Sequence, residues 1–174
     1  MRRNMLLFAV LLLVVAGCNR NVKNPTVTEN DVKKAEAALF NEDLSANAEA
    51  VPGAIETFCK YAEENPNAEN ASEYLFKAFE VSVNTKQDPK QSIDLANRLL
   101  AAYPNCDKNP VALFMLATFV YDEQLHDLDK AREAYQQVID NYPDSPFAKD
   151  AEISITQLGM TPEELIRMFE EREE

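Results

Sequence analysis

Few residues in this 174-residue sequence could carry out chemistry. It has three cysteines, Cys18, Cys59 and Cys106, and a single histidine, His126. A nucleophilic enzyme needs a thiol or hydroxyl beside a base, and a metal enzyme needs several ligands at suitable spacing. The sequence has neither pattern, and its three glycines form no glycine-rich phosphate-binding loop. We therefore expect a protein without catalytic activity or a bound metal, with His126 as an exposed turn residue.

The N-terminal segment gives Cys18 a distinctive setting. Arg2 and Arg3 precede an unbroken apolar run over residues 5–16, and a small residue then precedes Cys18. This order of charged, apolar and small residues is typical of an export signal. The apolar run has 12 residues, whereas a helix that crosses the hydrocarbon core of a bilayer needs about 20. The pattern therefore favours a cleaved signal over a transmembrane helix.

The sequence VAGC at residues 15–18 resembles the lipobox of bacterial lipoproteins. The resemblance implies a signal peptide at residues 1–17 and a mature protein that begins with Cys18. Cys18 would carry diacylglycerol on its sulfur and an N-acyl chain such as palmitate, with no other cofactor. Polar residues 18–28 would form the lipidated N-terminus and a flexible tether, and residues 29–174 the folded domain. The alternative is an ordinary secretory signal followed by a chance cysteine.

The composition favours helices and excludes nucleic-acid binding. The chain has 17 basic and 30 acidic residues and a net charge of −13. Removal of residues 1–17 takes two arginines with it, so −13 becomes −15. Such a charge repels nucleic acid and anionic lipid head groups. The scarcity of glycine and the abundance of Ala, Glu, Leu and Lys are typical of an almost entirely helical domain.

Cys59 and Cys106 could form one disulfide if the protein is exported. The first falls inside a predicted helix and the second in a turn about one repeat later, a separation that could exceed the 7 Å limit between their Cα atoms. Buried packing thiols are the alternative.

Three similar segments indicate an internal repeat. Each ends in a proline, Pro66, Pro104 or Pro143, and these prolines are 38 and 39 residues apart. The aligned positions before them are Ala54, Phe58 and Tyr61; Ser92, Ala96 and Leu99; and Ala131, Tyr135 and Val138. Capping residues followed by proline, and apolar residues at steps of three and four, mark the helices. The predicted helices are 29–41, 51–64, 69–84, 89–103, 110–124, 128–142, 146–158 and 162–172.

Residues 112–145 resemble the tetratricopeptide repeat (TPR). The second helix of that repeat is matched by Ala131, Tyr135 and Pro143. In the first helix, Ala117 stands at the close-packed Gly/Ala position. The resemblance implies an all-α, TPR-like α-solenoid of about three and a half helix-turn-helix repeats with a C-terminal capping helix. The chain lacks tryptophan and its period exceeds the usual 34 residues, which implies extended turns.

Residues 142–159 are similar to the repeat junctions of two kinds of envelope protein, the β-barrel assembly lipoprotein of the outer membrane and the periplasmic repeat protein that works with the Tol-Pal system. The resemblance implies a non-enzymatic protein-protein interaction scaffold in the bacterial cell envelope, in outer-membrane protein assembly or envelope maintenance. It would bind envelope proteins or peptides and be lipid-anchored at the periplasmic face of the outer membrane. The alternative is an accessory lipoprotein that binds a glycan or small ligand for uptake.

The first helices of such repeats line a concave groove, and the inner-face positions of the family fall on eight residues of this chain. These are Ser72, Leu75, Phe79 and Ser82 in the second repeat, and Val111, Phe114, Thr118 and Tyr121 in the third. The mixture is apolar and neutral, without the basic clamp that binds a carboxylate. The alternative is that Phe79, Phe114 and Tyr121 belong to the core.

The last predicted helix, 162–172, bears on self-association. Its apolar residues are Leu165, Ile166, Met168 and Phe169, and its glutamates fall on the opposite face. With the apolar residues facing inward, this helix is expected to form a polar cap. A polar cap predicts a monomer.

Overall fold

The computed structural model describes residues 25–43 and 45–171. The helices are α1 (Glu29–Ala38), α2 (Val51–Glu64), α3 (Ala71–Thr85), α4 (Pro89–Ala102), α5 (Asn109–Met115), a π-helical segment (Leu116–Asp122), α6 (Leu128–Asn141), α7 (Pro146–Gln157) and α8 (Pro162–Glu170). Between the described ends of the chain, β structure is limited to one isolated bridge joining Phe40 and Ala46. None of the described helices is both long enough and apolar enough to span a bilayer. Cys18 and the predicted signal peptide lie outside the described residues.

The helices begin where the capping signals predict. Asp88 accepts a hydrogen bond from the Lys90 amide at 2.9 Å, and Ser145 accepts one from the Phe147 amide at 3.2 Å. Thr161 and Glu164 form the predicted capping box at the start of α8. These side chains satisfy amide groups that the first turn of a helix leaves without a partner.

The helices pack as consecutive pairs in a curved stack. Each helix from α1 to α7 contacts the next, and the first helices of successive pairs, α3, α5 and α7, also contact one another. The second helices α2 and α4 are instead separated by an open cleft of about 460 Å³. Because the first helices lie closer together than the second, they line the inner side of the curve. The predicted all-α, TPR-like solenoid is confirmed.

The core consists of the positions that the repeat alignment singled out. All nine aligned residues are buried, from Phe58, Leu99 and Val138 at 0% exposed to Tyr61 at 7%. Full burial of a large apolar side chain stabilises a fold by about 1.5–3 kcal/mol. Ala117 and Ala131 are also fully buried, and their small side chains let the two helices of the third repeat approach closely. These repeated residues therefore hold the helix pairs together.

The long repeat period has two structural sources. The connection from α4 to α5 includes an extended turn that Asn109 closes, since its side-chain amide donates to the carbonyls of Tyr103 at 2.9 Å and Pro104 at 3.1 Å. The first helix of the third repeat, predicted as α-helix over 110–124, widens after Met115 into π-helix. The Glu123 amide there donates to the carbonyl of Thr118, five residues back, at 3.1 Å. The extended turn was predicted, and the π segment was not.

The folded domain begins earlier than predicted. The carboxylate of Glu64 accepts hydrogen bonds from the amides of Thr26 at 2.6 Å and Val27 at 2.9 Å, and from the Thr26 hydroxyl at 2.7 Å. Thr28 then caps α1. The sequence predicts a flexible tether for residues 26–28, but Thr26 and Val27 are attached to the end of α2 and Thr28 to the start of α1.

The terminal helix α8 covers less of the solenoid than predicted. Leu165 and Met168 are half-buried, but Ile166 is 58% exposed and Phe169 is 52% exposed. The prediction that all four apolar residues face inward is thus wrong for Ile166 and Phe169. The inference of a monomer, which rested on a wholly polar cap, loses this support.

Candidate protein-binding surface

The first helix of the third repeat carries four predicted groove residues, and all four keep part of their surface accessible. Val111 and Phe114 lie on α5, and Thr118 and Tyr121 on the π segment. Each is half-buried. Partial burial raises the pKa of the Tyr121 hydroxyl, so this side chain stays neutral at physiological pH. Val111, Phe114 and Thr118 thus combine apolar area with a neutral hydroxyl group. The groove prediction is wrong for Tyr121, which lies with Leu100 of α4 and Lys130 of α6 in a cleft between these second helices.

Contacts with neighbouring helices fix this surface in place. The Phe114 ring packs against Tyr135 of α6 and Phe147 of α7, with ring centroids 5.4 and 5.6 Å apart. The Thr118 hydroxyl donates to the Phe114 carbonyl at 3.0 Å and lies 2.8 Å from the Tyr135 hydroxyl. The surface is therefore formed before any ligand binds.

The four predicted groove residues of the second repeat are placed differently. Leu75, Phe79 and Ser82 are 3%, 0% and 1% exposed, and the Ser82 hydroxyl lies 2.8 Å from that of Ser92 on α4. Ser72 is half-buried. Because α3 is packed between α2 and α4, its apolar side faces the core. For Leu75, Phe79 and Ser82 the structure supports core packing instead of the groove role.

The accessible side of α3 carries charged residues that were not predicted as a site. Glu73 is exposed, and Lys77 and Glu80 are half-buried. The Lys77 ammonium pairs with Glu36 of α1 and lies 4.0 Å from Glu73. Partial burial alone would lower the pKa of Lys77, but its hydrogen bond to Glu36 and the attraction of both carboxylates raise it. In the sequence, these charged residues are spaced by four and then three positions, which indicates that they share one side of a helix.

The accessible side of the third repeat also includes three half-buried residues that were not predicted as groove residues. Met115, Phe119 and Asp122 share the accessible side of α5 and the π segment. Phe119 packs partly against the larger core. We call the accessible residues of α3 and of the α5–π helix, other than Tyr121, together the concave surface.

The remaining reactive residues show no catalytic arrangement in the part of the chain that the structure describes. His126 is an exposed turn residue in the left-handed region, with φ of 53°. No group of three or more potential metal ligands occurs in that same part. Cys59 is buried, and burial raises the pKa of its thiol; Cys106 is half-buried. Both are free thiols, so the structure contains no disulfide between Cys59 and Cys106.

Comparison with known proteins identifies the third repeat. Residues 111–145 match the sequence model of the family described as "Tetratricopeptide repeat". The match covers most of α5, the π segment and α6, and it includes the part of the concave surface that lies on the α5–π helix. No curated protein matches the chain. Such repeats are interaction modules that are generally non-enzymatic, and their presence supports a role as a scaffold for protein-protein interactions.

Proposed function

We propose that the protein is a non-enzymatic scaffold of the bacterial cell envelope, anchored to a membrane by lipid on Cys18 and binding other proteins through its concave surface. The observation that carries the binding proposal is the third repeat, where Val111, Phe114 and Thr118 are partly accessible and where contacts to α6 and α7 hold Phe114 and Thr118 in place. A preformed surface binds with a smaller loss of conformational entropy than one that must order first.

The concave surface favours a neutral or basic protein segment with apolar side chains. The apolar area of α5 lies beside Asp122, and the accessible side of α3 contributes Glu73 and Glu80. The positive charge of Lys77 on this side is paired with Glu36. An acidic or C-terminal carboxylate ligand would thus meet like charge without an available basic partner.

A direct test is crosslinking and affinity capture from intact envelopes. Val111→Lys places a charge on the apolar part of the concave surface, and we expect it to lose the captured partners. Gln136→Lys is the matched control, since it adds the same charge on the exposed side of α6. Thermal denaturation checks that both variants remain folded. Recovery of the same proteins by the wild type and both variants, or of no specific protein at all, contradicts the proposal.

The proposed membrane attachment rests on the N-terminal sequence. The VAGC sequence at residues 15–18 lies at the end of the apolar run over residues 5–16. Each buried methylene of an acyl chain contributes about 0.8 kcal/mol, so two or three chains hold a protein stably at a membrane. Asn19 follows the cysteine, where an aspartate would resemble a signal for retention in the inner membrane. We therefore propose the periplasmic face of the outer membrane.

Incorporation of labelled palmitate tests the anchor. The wild type and Cys59→Ala are expected to incorporate the label and to sediment with membranes. Cys18→Ala is expected to do neither. Equal labelling of the Cys18→Ala variant would contradict lipidation at this residue.

The alternative of a glycan- or ligand-binding lipoprotein has no specific support. Its discriminating feature would be a deep pocket lined with aromatic rings. Five clefts in the described part of the chain are each lined by at most one phenylalanine or tyrosine.

A further inference from the structure

The C-terminal end of the solenoid leaves large apolar side chains exposed. Ile153 of α7 is 42% exposed, and Met160 of the following turn is 37% exposed. Ile166 and Phe169 of α8 are 58% and 52% exposed. We call these four residues the end surface. Ile166 and Phe169 lie three residues apart on α8 and are therefore neighbours on its surface, and adjacent exposed apolar side chains of this kind typically mark an interaction site.

The packing of the repeats explains why this surface is uncovered. Among the earlier pairs, the second helix α2 is covered by the first helix α3, and α6 is covered by α7. The second helix α8 has no buried residue and no such covering helix among the described residues. The apolar side of α8 thus resembles the faces on which other helices of the solenoid pack, but none of the described helices packs on it.

The end surface borders a cleft, and Met160 lines part of it. A cleft of about 490 Å³ lies between α8 and the beginning of α6, and its apolar lining includes Leu128, Leu158, Met160 and Leu165. Gly159, with φ of 80°, turns the chain so closely past α6 that a β-carbon there would lie 2.9 Å from Leu128 Cδ1. This tight turn fixes the direction in which α8 leaves α7.

The charge around the end surface indicates what can cover it. Residues 122–171 contain 13 acidic and four basic residues. Glu163, Glu164 and Glu170 are exposed on α8 itself, where the basic residue is Arg167. A second copy of the chain would bring the same acidic surface and be repelled, whereas a cationic partner is attracted.

We propose that the end surface binds a cationic amphipathic helix of another protein. The apolar side of that helix packs on Ile166 and Phe169, as a first helix packs on the preceding second helix within the solenoid. Its basic residues lie against the glutamates of α8. The end surface shares no residue with the concave surface, so the two binding proposals stand or fall separately.

A designed peptide tests this inference without knowledge of the natural partner. The probe is a fluorescent helical peptide of leucine and lysine, with its leucines on one face. A scrambled peptide of the same composition and a leucine-glutamate peptide are the peptide controls. Fluorescence polarisation is measured with the full chain in nonionic detergent, and the detergent alone is the blank.

The protein variants separate the end surface from general attraction to an acidic protein. The double variant Ile166→Ser/Phe169→Ser removes the centre of the surface, and we expect binding to weaken about tenfold or more. Phe40→Ser, which alters a side chain that is 59% exposed at the other end of the solenoid, is expected to bind as the wild type does. Because these side chains are exposed, the thermal midpoints are expected to stay unchanged, and the single variant Ile166→Ser repeats the test if the double variant is less stable.

The expected pattern is tight binding of the leucine-lysine helix alone, with an affinity that falls as salt is added. Equal binding of the scrambled peptide, or undiminished binding by the Ile166 variants, overturns the inference. Sedimentation that shows a dimer of the wild type, lost in the double variant, overturns it in favour of a second copy of the chain. Any of these results leaves the concave-surface proposal untouched, because Val111 lies outside the end surface.

Discussion

Replacement of Asn109 by aspartate is expected to destabilise the domain strongly, because Asn109 is fully buried and its side-chain amide closes the turn before α5. The amide donates to the carbonyls of Tyr103 and Pro104 at 2.9 and 3.1 Å. Asn109→Asp removes both donors, each worth about 1 kcal/mol, and buries a carboxyl group at a further cost of about 1–3 kcal/mol. We expect a loss of about 3–5 kcal/mol at pH 7, which corresponds to a fall in the thermal midpoint of roughly 10 °C for a domain of this size.

The pH dependence of this loss identifies its cause. A carboxyl group buried among carbonyls has a raised pKa in the folded state, since burial disfavours the charge. The protonated form is thus favoured by folding, and the stability of the variant should approach that of the wild type as the pH falls from 7 towards the ordinary pKa of aspartate, about 3.9. Urea denaturation at several pH values measures the difference. Asn105→Asp, a change of the same charge at an exposed residue of the same turn, is the control and should cost less than about 0.5 kcal/mol. Equal losses for the two variants, or a loss for Asn109→Asp that does not shrink on acidification, would refute the reasoning.

Three further changes test other parts of the fold. His126→Gly should stabilise the domain by roughly 0.5 kcal/mol in thermal denaturation, since φ of 53° strains a residue with a β-carbon; Lys130→Gly inside α6 should instead cost about 1 kcal/mol. Tyr135→Phe removes the hydroxyl that lies 2.8 Å from Thr118, and urea denaturation should show a loss of about 1 kcal/mol, whereas an unchanged midpoint would contradict a bond between these hydroxyls. Hydrogen bonds from Thr26 and Val27 hold the pKa of Glu64 below its ordinary value, so the contact persists above the ordinary pKa and is lost as the pH falls through the lowered one. In the wild type, the amide resonances of Thr26 and Val27 should therefore shift only below about pH 4.3. In Glu64→Gln these resonances should differ from those of the wild type already at neutral pH. In the exposed control Glu56→Gln they should match the wild type.

The repeat pattern predicted the core because burial leaves a direct trace in the sequence. Tyr61, Leu99 and Val138 occupy corresponding positions of the three repeats, and all three are buried. Capping residues such as Asp88 and Ser145 likewise act over two or three residues and mark where a helix begins. The number, order and bounds of most helices were thus predictable from local signals.

The faces of α3 and α8 were harder to predict, because they depend on what covers each helix. Leu75 and Phe79 were assigned to a groove by family position, but α3 packs between two helices and turns them inward. The apolar pattern of α8 predicts a covered face, although Ile166 and Phe169 are exposed. An amphipathic pattern specifies an apolar side and does not specify the partner of that side.

The π segment had no local signal. Its sequence, LATFVYD, has apolar residues at spacings that suit an α-helix equally well. The widening accompanies contacts with α6: the Thr118 hydroxyl lies 2.8 Å from that of Tyr135, and the amide of Asp127, which caps α6, donates to the Tyr121 carbonyl at 2.8 Å. Such contacts are a tertiary property, and they also shape the part of the concave surface that lies on the π segment.

Photo-crosslinking in intact envelopes tests most directly the claim that the concave surface of the third repeat binds a protein. A photoreactive amino acid is placed in the full chain at position 111, on the concave surface, or at position 136, on the exposed side of α6. The account predicts a discrete protein adduct from position 111 and none from position 136. The same adducts from both positions, or none from position 111, would contradict it.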